Sequence, residues 1–201
     1  ALGRLDEALD ATRAAVVIRR ELAEARPEVF LPDLAGSLNN YGAMLNSLGR
    51  PEEALDATRT AVELYRELAE ARPDAFRPRL ATGLNNLGSM LSSLGRWEEA
   101  LDATREAVEL HRELAEARPD ALLPNLAPSL LSQGISLREA GRTSLAAFLF
   151  AEGLRVALRL VQTQPDAVVH LIGSLAYLYR EACVDSNTEL AEDLAPLIAM
   201  L

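Results

Sequence analysis

The chain has 201 residues, 49% of them apolar and only 4% aromatic, with a formal net charge of −10 and arginine as its sole strong base. A surface of that sign opposes broad attraction to nucleic acid or anionic lipid, so no nucleic acid and no membrane is expected as a partner. The most apolar stretch, 145–161, is interrupted by Glu152, Arg155 and Arg159 and falls short of a transmembrane span.

Residues 2–13 return, nearly unchanged, at 48–59 and 94–105. A Gly-Arg pair recurs at Gly3, Gly49, Gly95 and Gly141, and a proline at Pro27, Pro73, Pro119 and Pro165, both stepping by 46 residues. A fixed period of that size means stacked supersecondary units, each too small to bury its own apolar face and stabilised by its neighbours. The expected division is one array over 1–201: a partial first unit at 1–27 holding only a second helix, full units at 28–73, 74–119 and 120–165, and a divergent helix pair or cap at 166–201. The lone Leu2-Gly3-Arg4 and the lost first helix lead us to expect a fragment, a sensor or scaffold region of a larger protein. Abundant Ala, Arg, Gly, Leu and Pro without lysine favours a GC-rich bacterial source.

Within one period, Ala54, Thr58, Ala61, Tyr65 and Leu68 are spaced four, three, four and three, one stripe of a helix about six turns long. Its other face carries Glu52, Glu53, Asp56, Arg59, Glu63, Arg66, Glu67 and Glu70, a solvated surface rather than a site. Pro73 follows that helix, and Pro32, Pro78 and Pro124 are expected to open the next one, where a missing N–H costs nothing. Leu80, Leu84, Leu87, Leu91 and Leu94 repeat the stripe, and Gly95 supplies a left-handed terminator. Asp166 to Cys183 reads as a further first helix in which the Gly-Arg turn has become Asn187-Thr188. Glu189, Glu192 and Asp193 suit a water-facing cap, whereas 194–201 is apolar enough to want a further partner.

The run Asn85-Asn86-Leu87-Gly88, followed by Leu91, Leu94-Gly95, Trp97, Ala100 and Ala107, resembles the tetratricopeptide repeat. Pro51 departs from the aromatic site that Trp97 fills, and the period exceeds the usual 34 residues by about a dozen. The long form is similar to kinesin-light-chain repeats and to arrays appended to bacterial signalling proteins. The resemblance implies an all-α, right-handed superhelix of antiparallel helix pairs (A then B), binding a protein or peptide on the concave face lined by the A helices. Counting from the Leu-Gly pair places Asn39, Ala43, Asn46 and Ser47 inward, then Asn85, Ser89, Ser92 and Ser93, then Leu131, Ile135, Arg138 and Glu139, then Tyr177 and Glu181. In some members an asparagine ladder at the places of Asn40 and Asn86 holds a peptide backbone, since a carboxamide donates and accepts at once. The same asparagines equally suit bridging between neighbouring helices. Two rungs at about 1 kcal/mol per hydrogen bond supply roughly 4 kcal/mol, a millimolar constant before ordering costs.

Catalysis is not expected. His111 stands where other copies have Arg19 and Tyr65 and reads as a half-exposed surface position; His170 and Cys183 read as drift within the repeat. One cysteine allows no intramolecular disulfide, and these residues match no zinc spacing, phosphate loop or nucleophile motif. No metal or cofactor is therefore expected, and a reducing cytoplasm is the simplest setting to expect for a chain with one cysteine and no charged-then-apolar opening. Two functions stay open: recognition of a protein or peptide partner, and a self-associating scaffold in which homo-oligomers form through the chain ends.

Overall fold

The computed structural model describes residues 2–117 and 119–200. Its helices are α1 (Leu2–Ala25), α2 (Pro27–Ser47), α3 (Pro51–Ala71), α4 (Pro73–Ser93), α5 (Trp97–Ala117), α6 (Pro119–Glu139), α7 (Thr143–Leu160), α8 (Pro165–Ser186) and the short α9 (Ala195–Met200), with no strand among the described residues. Two compact units divide at the second full Gly-Arg turn, Ala1–Gly95 and Arg96–Leu201. In the first, α1 packs on α2, α2 on α3 and α3 on α4; in the second, α5 to α8 follow the same succession and α9 closes against α8. The A helices are α2, α4, α6 and α8, and α1, α3, α5 and α7 are B helices.

The expected stripes are the buried ones. Ala54, Thr58, Ala61, Tyr65 and Leu68 of α3 are buried, as are Leu80, Leu84, Leu87 and Leu91 of α4. Each large apolar side chain taken from water stabilises by about 1.5–3 kcal/mol, which is how short helices become stable. The acidic face of α3 is exposed.

The turns between A and B helices are built as expected. Gly49, Gly95 and Gly141 have φ of 72°, 70° and 75°, a left-handed geometry natural to glycine. Arg50 N–H reaches back to Leu45 C=O at 2.9 Å and Gly49 N–H to Asn46 C=O at 3.0 Å, satisfying carbonyls that a helix end leaves orphaned. The same pair of bonds recurs at Gly141 and Arg142. The Asn187-Thr188 turn keeps this geometry: Asn187 has φ 51°, and Thr188 N–H bonds Cys183 C=O at 2.9 Å.

The helix starts differ from expectation. The A helices open at Pro27, Pro73, Pro119 and Pro165, and Pro32, Pro78 and Pro124 lie inside them. The first proline takes the initial position because its N–H would be orphaned anyway, and the arginines before Pro27 and Pro73 stack on Phe30 and Phe76 at 5.1 and 4.8 Å. The internal prolines each forgo one helical hydrogen bond.

Part of the apolar C-terminal segment is covered within the chain, while Met200 stays 85% exposed and Leu201 lies outside the described residues. Leu194 and Ile198 are buried in the second unit's core, Tyr179 Oη accepts the Ala191 N–H at 2.8 Å, and the exposed Asp193 carboxylate grips Arg155.

Candidate functional site

The A helices place their predicted residues in two settings. In the first unit, Asn86 Nδ2 on α4 donates to Asn39 Oδ1 on α2 at 3.1 Å, so a carboxamide pair links successive A helices. Asn39, Asn46, Asn85, Asn86 and Ser92 are half-buried, while Asn40 and Ser89 are exposed. Asn85 Oδ1 is buried without a hydrogen-bond partner among the described residues. The bridging role open from sequence is therefore realised by Asn39 and Asn86. Each uses one end of its carboxamide there, so Asn39 still has donors and Asn86 an acceptor oxygen.

In the second unit the register positions of Asn39 and Asn86 hold Leu131 and Leu178, both packed half-buried on the apolar core. The polar rung gives way to leucines. Ile135 packs likewise, and Arg138 is half-buried with its guanidinium 3.3 Å from Glu139. Tyr177 on α8 is 55% exposed beneath the Arg180 cation, 5.6 Å from its ring centre. With Gly173, Ala176, Arg180 and Ile198 it lines a cavity of about 170 Å³, and of these only Tyr177 was anticipated. Gly173 occupies the position of Ala35, Ala81 and Ala127, all fully buried, yet a Cβ built on it would meet nothing within 4 Å among the described residues.

His111 is not a half-exposed surface residue. It is 2% exposed, with Nδ1 2.7 Å from Ser129 Oγ, and Nε2 buried without a partner among the described residues. Burial pushes its pKa down to about 4. The variety at this position has a packing cause. Each B-helix residue meets the A-helix residue 18 positions on: Arg19 bonds Ser37, Tyr65 packs beside Gly83, and His111 bonds Ser129. A Cβ on Gly83 would stand 3.6 Å from the Tyr65 ring and 3.3 Å from Val62. Large faces small, so unlike side chains fit one slot. The two-residue pattern was present in the sequence, but only the helix packing shows which positions face each other. Cys183 is buried, and burial raises its thiol pKa, which opposes a reactive thiolate; His170 is exposed.

Antiparallel helix pairs repeated at one period, capped by left-handed glycines, define an all-α solenoid of helical-repeat class. The tetratricopeptide repeat model matches residues 33–113, so that part of the chain is similar to tetratricopeptide repeats. No curated protein matches the sequence. Among solved structures, BtubC (BKLC) from P. vanneervenii is 19% identical, with a TM-score of 0.64 over 91% of this chain and 71% of that one. The nearly identical TPR-like repeats of a putative kinesin light chain of Podosopora anserina are 14% identical, with a TM-score of 0.67 over 98% of this chain and 87% of that one. A singly substituted form of those repeats gives a TM-score of 0.69 at 14% identity, over 98% of this chain and 86% of that one. Such likenesses carry the fold. No described helix is long and apolar enough to cross a membrane.

Proposed function

We propose that this chain is a recognition module, a sensor or scaffold region of a larger bacterial protein, whose partner lies along the faces of its A helices. Tetratricopeptide repeats in general mediate protein–protein interaction. The observation that carries the reading is the Asn39–Asn86 pair, which leaves one donor group and one acceptor oxygen beside the exposed Asn40 and Ser89. A peptide group offers the complementary acceptor and donor. Asn85 adds motive, because a buried carboxamide oxygen without a donor costs about 1–3 kcal/mol until it finds one.

The open groups of Asn39 and Asn86 make about two hydrogen bonds, roughly 2 kcal/mol, which alone holds no peptide. The partner therefore also uses neighbouring surface of that unit, and the second unit's A helices present a separate apolar and aromatic face of their own in Leu131, Ile135, Arg138 and Tyr177. The alternative is a scaffold that self-associates, favoured by the open face of Gly173 on α8. Light scattering across a concentration series separates the two: the recognition reading expects constant monomer mass, and mass that grows with concentration overturns it.

A further inference from the structure

The outer face of α7 breaks the pattern of the other B helices. Where α3 has Glu53, Asp56, Glu63 and Glu67, and α5 has Glu99, Asp102, Glu109 and Glu113, α7 has Leu145, Phe148, Arg155 and Arg159. All twelve residues are exposed. The α7 residues are spaced three, seven and four apart, so they form one stripe along the helix. Its first half is apolar, with Leu145 56% and Phe148 64% exposed, and its second half is basic.

Stability does not explain the change. In α3 and α5 the acid at this first position braces the helix start, Arg50 to Glu53 at 2.7 Å and Arg96 to Glu99 at 2.6 Å. Leu145 abandons that pair, leaving Arg142 a long 3.7 Å contact with Glu98. An exposed Phe148 gains nothing from water in return.

The basic half already takes carboxylates. Arg155 receives Asp193 through two bonds of 2.7 and 2.8 Å, and Glu152 of α7 receives Arg112 of α5 at 2.6 Å. Arg159 has no ion pair among the described residues, and it stands on the rim of a groove of about 430 Å³. Leu123, Leu126 and Val156 give that groove an apolar lining, and Glu116 is also on its wall.

We propose that the outer face of α7 from Leu145 to Arg159, with this groove, is a docking surface for an acidic amphipathic helix of a partner protein. Apolar side chains of the partner cover Leu145 and Phe148, and its carboxylate meets Arg159. A helix suits a straight stripe of about 21 Å, at 1.5 Å per residue, and offers side chains at matching intervals. A second copy of this chain fits less well: at these positions α3 and α5 bring carboxylates only, and α1 brings Glu7, Asp10 and Glu21 with a single exposed anchor, Val17, against the two apolar residues of α7. The surface shares no residue with the A-helix positions Asn39, Asn40, Asn85, Asn86, Leu131, Ile135, Arg138 and Tyr177, so the two readings stand or fall separately.

The test selects a display library of helical peptides on the wild-type chain and counter-selects on L145E/F148D. Those substitutions restore the residues of α5 and return an acid to Arg142, so the variant keeps its fold, which circular dichroism checks. The expected clones carry apolar residues at i, i+3 or i+4 and i+7 with net negative charge. They bind at least about tenfold more weakly to L145E/F148D and to R159E, and equally to wild type and N40A/N85A, with affinity falling as salt rises. The proposal is overturned if no clone discriminates the two chains, if discriminating clones are neutral or basic, or if R159E binds like wild type. Solution mass that grows for wild type and not for L145E/F148D identifies a second copy as the occupant, and also overturns it.

Discussion

Acidification will weaken the second unit through His111. Ser129 Oγ donates to the Asn125 carbonyl at 3.1 Å, so the proton between Ser129 and His111 belongs on Nδ1, leaving Nε2 bare and buried. Protonating Nε2 puts a cation where no acceptor waits among the described residues. The folded pKa of about 4 lies below the ordinary 6.5, so the unfolded chain binds the proton more readily. The contribution is fully present above about pH 6.5 and is lost as pH falls to about 4, below which it stays constant. Linkage gives a loss of about 2 kcal/mol by pH 5 and about 3 kcal/mol by pH 4. Urea unfolding at about pH 7.5 and pH 5, followed by circular dichroism, measures it for wild type and for H111Y/S129G. The double variant recreates the Tyr65–Gly83 packing without a titrating ring and should lack this share of the loss. Equal losses in the two proteins would refute the assignment to His111.

Three further outcomes follow from the packing. Gly42→Ala places a Cβ 2.1 Å from Thr58 Oγ1 and 3.0 Å from the Ala54 carbonyl, and should destabilise by about 1–3 kcal/mol in chemical unfolding despite alanine's helix propensity. Gly173→Ala meets nothing and should stabilise by about 0.5–1 kcal/mol; a loss would mean that the α8 face is occupied. His111→Tyr alone should lower stability in the same assay, and adding Ser129→Gly should recover at least about 1 kcal/mol, a coupling that additive effects would contradict.

The period, the helix stripes and the glycine terminators were legible because each is a local signal: spacing of apolar residues and a residue tolerant of positive φ. The helix starts were not, since two prolines five apart both suit a first turn and only the folded chain shows that Pro27 and Pro73 take it. His111 was misread because three unlike residues in one register suggest exposure, whereas each has a partner 18 residues on that adjusts in size. The bridging of Asn39 and Asn86 needed the approach of two helices 47 positions apart in sequence. The reversal at Leu145, Phe148, Arg155 and Arg159 was available in the sequence, visible once α7 is set in register with α3 and α5. The groove beside it was not, since its walls come from three helices.

The recognition reading is tested most directly by calorimetric titration of a peptide selected on L145E/F148D, whose A-helix faces are intact, into the wild-type chain and into N40A/N85A. The account predicts binding at least about tenfold weaker to N40A/N85A, a difference of about 1.4 kcal/mol or more, with unchanged helicity. Equal affinity for the two chains would contradict a partner held by the asparagine face.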